Sequence, residues 1–215
     1  MKKPVVRLSC FKVCAMIALL FISIGCITCS KDKSDIVDDD NAKNTVTYNG
    51  HKYSLNLGAY EDYGYKDNHT NYAFHLFQMV DENDAIVPVY LYFDLYAPGE
   101  DGFKAGEFNY INTDVITDPS KLDGVYYFDD AYLATDIDTE NESVGEYQLI
   151  TEGSVKITGS DLDFRLVFNL KTEDGYSING NYEGQFEPLS SASYTAYKEL
   201  GRNFKIHKCR LPRER

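Results

Sequence analysis

The feature that most constrains the fold is an alternation of apolar and polar residues near the end of the chain. Between Leu162 and Lys171, apolar residues occupy every second position, and polar residues fill most positions between them. Successive side chains of a strand point to opposite faces, so this pattern predicts a strand with one buried face. With segments 147–158 and 176–186, it predicts a three-stranded meander. The residues expected in the core are Leu162, Phe164, Leu166, Phe168 and Leu170.

The preceding segments also have the character of strands. Asn49 and Gly50 tolerate positive φ and lie between two short strand-like runs, which predicts a hairpin. No segment between Thr45 and Pro188 has a convincing helical period. We therefore expect an all-β domain of about nine or ten antiparallel strands, which curls into a barrel or folds into a sandwich to protect its edges. Sequential hairpins favour the barrel, and a short helix is predicted at Ser191–Leu200.

The N-terminus resembles a bacterial lipoprotein signal. A basic start precedes an apolar run, Val13–Ile27, which would span only about 22 Å as a helix and is therefore short for a membrane span. The run ends in small residues and cysteines, and such signals are cut before a Cys that becomes lipidated. Cys29, followed by Ser, Lys and Asp, is the favoured lipidation site, and Cys26 is the alternative. An ordinary cleaved signal with incidental cysteines is the simpler alternative.

These observations divide the chain into four parts. They are a signal peptide (1–28), a flexible acidic tether (29–44), a β-domain (45–188) and a helical, basic tail (189–215). The whole chain has a net charge of −13. An acidic protein repels phosphates, which argues against nucleic acid as a partner. The expected membrane contact is the N-terminal lipid anchor.

The segment from Thr151 to Phe186 carries a set of strand, turn and glycine positions: Gly153, Val155, Ile157, Phe164, Phe168, Leu170, Asp174, Gly175, Ile178, Gly180, Tyr182 and Gly184. With these residues the segment resembles the C-terminal part of small Bacteroidetes lipoproteins of uncharacterised function. Residues 105–110 resemble a strand of the same family, and Asn49–Tyr53 its opening hairpin. The resemblance implies a calycin-like β-barrel anchored to the outer membrane and exposed on the cell surface; it supplies no catalytic residues.

Residues that could carry out chemistry are few. The four histidines are scattered without metal-ligand spacing, and no phosphate-binding glycine loop occurs. Asp129 and Asp130 are adjacent, so in a strand they would point to opposite faces and could not converge on one bond. Alternating carboxylates suggest a weak calcium site, but Asn141 replaces the expected glycine, and a solvated loop is the alternative. We therefore expect no enzyme activity and no cofactor. The calcium candidates are Asp136, Asp138 and Glu140.

Tyrosine is unusually frequent, with 18 residues and no tryptophan. Tyrosine gives large contact area at low entropic cost, although it is also a good strand former. We therefore expect a non-catalytic module that binds a small ligand, a glycan or a peptide. The alternative is an accessory envelope protein that acts through protein contacts. The candidate ligand-binding residues are Tyr90, Tyr92, Tyr96, Tyr126 and Tyr182.

Overall fold

The computed structural model describes residues 43–79, 85–141 and 143–189. These residues form an all-β structure of ten strands and two short 3₁₀ helices. The strands are β1 (Thr45–Tyr48), β2 (His51–Ser54), β3 (Leu57–Lys66), β4 (His69–Phe77), β5 (Ile86–Pro98), β6 (Glu107–Tyr110), β7 (Tyr127–Asp138), β8 (Ser143–Ser160), β9 (Asp163–Thr172) and β10 (Ser177–Pro188); the 3₁₀ helices are Thr113–Val115 and Pro119–Leu122.

The strands pair as one mixed sheet, so the prediction of a purely antiparallel sheet is wrong in two places. Strands β3, β4, β5, β7, β8, β9 and β10 pair in that order, and β10 also pairs with β3. Each neighbouring pair along this series is antiparallel, but β10 and β3 are parallel. The reason is parity, because an odd number of alternating strands brings its first and last members together in the same direction. The second parallel pairing joins the short strand β6 to β7.

The predicted meander is confirmed by the antiparallel pairing of β8, β9 and β10. Along β9 buried and non-buried residues alternate, and Phe164, Leu166, Phe168 and Leu170 are buried in one hydrophobic cluster. Leu162 lies at the turn before β9, where it packs against this cluster while only partly buried. We call this cluster the inner core.

The predicted hairpin at Asn49 and Gly50 is also present. It joins β1 to β2, and both residues have positive φ, at 47° and 76°. This conformation matches the right-handed twist of the flanking strands. β1 also pairs with β10, so the hairpin extends the sheet beside the meander.

Several predicted features lie outside the described residues. They are the signal peptide, both candidate lipidation sites, nearly all of the tether, and the helix and basic residues of the tail. Among residues 43–79, 85–141 and 143–189, no helix has the length and apolar character needed to cross a membrane.

Candidate functional site

A second hydrophobic cluster lies on the face of the sheet opposite to the inner core. It includes Phe77 of β4, Tyr90 of β5 and Tyr132 of β7. The cluster follows from strand register, because His75 pairs with Tyr92, and Tyr92 pairs with Tyr132. We call this surface of strands β3, β4, β5, β7 and β8 the tyrosine face. Its tyrosines are Tyr90, Tyr92, Tyr132 and Tyr147.

The aromatic rings of the tyrosine face contact one another across the strands. Tyr92 stacks on Tyr132 with ring centroids 4.9 Å apart, and Tyr132 contacts Tyr147 at 5.1 Å. Phe77 stacks on Tyr90 at 4.7 Å. Aromatic pairs at such separations add stability beyond the area that they bury. The face is therefore a packed layer of rings.

A polar chain crosses this aromatic layer. The hydroxyl of Tyr132 donates to the hydroxyl of Tyr90 at 3.5 Å, and the Tyr90 hydroxyl lies 2.8 Å from Nδ1 of His75. On the other side of the imidazole, Nε2 of His75 lies 3.9 Å from a carboxylate oxygen of Glu61. Glu61 also accepts a short hydrogen bond from the hydroxyl of Tyr63. These contacts give hydrogen-bond partners to hydroxyls that burial would otherwise leave unsatisfied.

A row of carboxylates lies next to the aromatic layer on the same face of the sheet. Glu61 pairs in register with Ala73, Ala73 with Asp94, and Asp94 with Asp130. We call Glu61, Asp94 and Asp130 the acidic row. Asp94 and Asp130 are direct cross-strand partners, and like charges placed in this way destabilise a sheet, so a cation beside them is favourable. Asp94 also accepts a hydrogen bond of 2.6 Å from the side-chain amide of Asn71.

Burial fixes the protonation of these tyrosines. It raises the pKa of Tyr90 and of Tyr132 well above the ordinary value, and it raises that of Tyr92 as well. The hydroxyls are therefore neutral at physiological pH. They serve as hydrogen-bond donors and apolar surface and are unsuited to act as bases.

A second aromatic group contains His69. Tyr96 stacks on Tyr127 with ring centroids 4.6 Å apart, and the His69 ring contacts Tyr127 edge-on at 5.1 Å. Nδ1 of His69 lies 2.9 Å from the carbonyl oxygen of Asp67, and Nε2 lies 3.0 Å from that of Val125. This buried ring joins the β3–β4 turn to the segment before β7.

The β3–β4 hairpin presents two exposed tyrosines. Tyr63 is 46% exposed and Tyr65 is 50% exposed. A bulge between Asp62 and Gly64 places Tyr63 outside the regular pairing, and Asp62 accepts hydrogen bonds from the Gly64 amide and the Tyr72 hydroxyl. The Tyr65 hydroxyl donates to Asn68 at 3.3 Å. These hydrogen bonds restrain the side chains at the hairpin end.

The structure separates the five candidate ligand-binding tyrosines. Tyr90 and Tyr92 lie on the tyrosine face, and Tyr96 lies beyond them on β5 in the His69 group. Tyr126 packs against Phe108 at the margin of the inner core. Tyr182 is buried in the inner core against Phe186. The five do not form one surface.

The acidic loop uses its central carboxylate to close a turn. Asp138 accepts hydrogen bonds from the backbone amides of Glu140 and Asn141 and from the Asn141 side chain. These hydrogen bonds lower the pKa of Asp138, and the largest contribution comes from the Asn141 side chain. Among the described residues, no group of three or more His, Cys, Asp or Glu could hold a metal ion. Calcium binding at Asp136, Asp138 and Glu140 stays a prediction.

Comparison with known proteins gives no match. No family model, no curated protein and no solved structure matches this chain. The resemblance to Bacteroidetes lipoproteins therefore stays a prediction.

Sequence reasoning missed the polar chain of Tyr132, Tyr90, His75 and Glu61. It considered His75 only as one of four scattered histidines and did not consider Glu61. A signal was present, because the β4 run from Ala73 to Phe77 is apolar at both parities apart from His75. Continuous apolar runs are typical of strands buried on both faces.

Proposed function

We propose that the chain is a lipid-anchored cell-envelope protein without catalytic activity that acts as a binding module through contacts on its surface. The sequence resemblance supports the lipid anchor and the location in the cell envelope, and it supplies no catalytic residues. The closed series of strand pairings supports a calycin-like barrel as the architecture. The alternative is a module that carries a small ligand inside the barrel. That function requires an interior volume that side chains leave open for the ligand.

The observation that carries this proposal is that aromatic side chains fill the interior. Phe93 of β5 and Phe168 of β9 have ring centroids 5.9 Å apart, although these strands are not neighbours in the sheet. Phe74 of β4 contacts Phe186 of β10 at 4.5 Å and Phe164 of β9 at 5.7 Å. Rings that meet across the interior occupy the volume that a ligand would need. This arrangement favours recognition on the outside.

The surface best suited to that recognition is the β3–β4 hairpin with Tyr63 and Tyr65. Tyrosines held in a fixed conformation provide contact area with little entropy left to lose on binding. Beside these tyrosines, Glu61 accepts a hydrogen bond from the Tyr63 hydroxyl, and Asp62 accepts one from the Tyr72 hydroxyl. Asp123 accepts a hydrogen bond of 2.9 Å from the side-chain amide of Asn68. The hairpin therefore offers an aromatic surface rimmed by carboxylates to a protein or glycan of the envelope.

Native mass spectrometry of the full chain, purified gently from its own envelope, tests the proposal first. A filled interior predicts the mass of the lipidated protein with no additional small molecule. A bound mass that leaves on denaturation would overturn the proposal and identify the chain as a carrier.

Crosslinking in intact cells then tests the hairpin. We expect a crosslinked partner with the wild-type chain and its loss when Tyr63 and Tyr65 are both replaced by alanine. Tyr176→Ala is the matched control, because Tyr176 is equally exposed, at 45%, but lies between β9 and β10. Equal crosslinking of all three chains would exclude the hairpin as the contact.

A further inference from the structure

The end of the last strand leads the chain onto the tyrosine face. The backbone amide of Leu189 donates to the carbonyl oxygen of Tyr60 on β3 at 2.9 Å. The Leu189 side chain is 8% exposed and belongs to the same cluster as Phe77, Tyr90 and Tyr132. The described part of the chain therefore ends at the margin of this surface.

The remaining sequence is long enough to cover the face. Residues 190–215 follow Leu189. The tyrosine face extends from β3 to β8 over four strand spacings, about 19 Å at the usual separation. Ten residues cover about 15 Å even as a helix, so segment 191–200 could cross most of this width. The segment is therefore long enough to reach across most of this surface.

The composition of this segment also matches the face. Its first part places Tyr194, Tyr197 and Leu200 at a spacing suited to one apolar side. From Lys198 onward it has seven basic and two acidic residues. The face offers both properties side by side, since the aromatic layer lies next to the acidic row of Glu61, Asp94 and Asp130.

We propose that the tyrosine face is the docking site of the chain's own C-terminal segment, residues 190–215. Apolar residues of the segment pack on the aromatic layer, and its lysines and arginines pair with the acidic row. A partly buried carboxylate beside another gains from such a cation more than an exposed one does. The occupant of this face is thus intramolecular.

Limited trypsin digestion of the full chain tests this docking, with mass spectrometry used to follow cleavage after Lys198, Arg202 and Lys205. A docked segment must detach before it is cut, so its cleavage is slow. The variant Glu61→Gln, Asp94→Asn, Asp130→Asn keeps the size of the side chains and removes the charges. We expect cleavage of the segment to be about tenfold faster in this variant, because local opening becomes easier.

The matched control is Asp101→Asn, Asp118→Asn, Asp174→Asn, which removes three exposed carboxylates outside the acidic row. It should leave the cleavage rate unchanged. Raising the salt concentration to about 1 M, where the screening length is about 3 Å, should accelerate cleavage in the wild type and in this control. Equal and fast cleavage in all three chains would overturn the proposal.

Carbodiimide coupling gives an independent test that does not depend on variants. In the full chain we expect amide crosslinks that join Lys198, Lys205 or Lys208 to Glu61, Asp94 or Asp130. A mixture of light and heavy isotope-labelled protein shows whether each crosslink lies within one molecule. Crosslinks found only between molecules, or only to other carboxylates, would overturn intramolecular docking at this face.

Discussion

Nδ1 of His75 lies 2.8 Å from the hydroxyl of Tyr90 between two strands of the tyrosine face, and both side chains are buried. The contact joins β4 to β5 at a point where His75 pairs in register with Tyr92, the second residue after Tyr90. A buried hydrogen bond of this kind is costly to break from one side, because the remaining polar atom keeps its desolvation penalty.

The first prediction concerns this pair. Tyr90→Phe removes the hydroxyl and should lower the free energy of unfolding by about 1 to 3 kcal/mol. His75→Phe should cost less in the Tyr90→Phe background than in the wild type, since apolar groups then replace both partners. Urea unfolding of the wild type, the two single variants and the double variant measures this coupling. Strict additivity of the two changes would show that the contact contributes nothing.

The second prediction concerns high pH. Burial raises the pKa of Tyr90 and Tyr132 well above the ordinary value of 10.0, and it raises that of Tyr147 to about 12. Above pH 10 the unfolded chain therefore binds fewer protons than the folded chain, so stability falls as pH rises. The stabilisation is complete below about pH 10 and is lost progressively through pH 12 and above.

Tyrosinate absorbance and circular dichroism check this directly, without interference because the chain has no tryptophan. We expect many tyrosines to ionise together with the loss of β-structure, in one cooperative step. In concentrated urea the same residues should titrate gradually near pH 10. Gradual ionisation of the folded protein without unfolding would contradict the burial of the tyrosine face.

The third prediction contrasts two glycines of β10. A Cβ on Gly180 would overlap the carbonyl oxygen of Thr45 and would lie 2.6 Å from the ring of Phe168. On Gly184 the nearest atom would be the hydroxyl of Tyr182 at 3.1 Å. Gly180→Ala should cost about 3 kcal/mol or more, as severe overpacking does, and Gly184→Ala about 1 kcal/mol. Thermal unfolding of the two variants gives the comparison, and equal losses would show that β1 does not lie against β10.

The fourth prediction concerns the anchor. Cys29→Ala should abolish incorporation of labelled fatty acid and should move the protein from the detergent phase to the aqueous phase, because the acylated thiol is missing. Cys26→Ala is the control and should leave the labelling unchanged. Loss of label in Cys26→Ala alone would assign the lipidation site to Cys26. Absence of label in the wild type would show that the signal directs no lipidation.

Local sequence patterns are sufficient to define the strands and turns. The alternation along Phe164–Leu170 defined a strand and its buried side, and Asn49 with Gly50 defined a turn, because both depend only on backbone geometry within a few residues. The same local patterns produced the all-β assignment. Val89, Leu91, Phe93 and Leu95 show the same alternation along β5, and all four are buried in the inner core.

How the faces of these strands are used depends on the way the strands pack in three dimensions. Tyr90 and Tyr182 both belong to alternating strands, yet Tyr90 lies on the tyrosine face and Tyr182 lies in the inner core. Glu61 meets His75 because β3 and β4 pair in one particular register, and the parallel contact of β10 with β3 follows from the number of strands in the series. Periodicity assigns a residue to one side of its own strand. Which sides face each other, and which are covered, depends on register and closure, which join residues far apart in the chain.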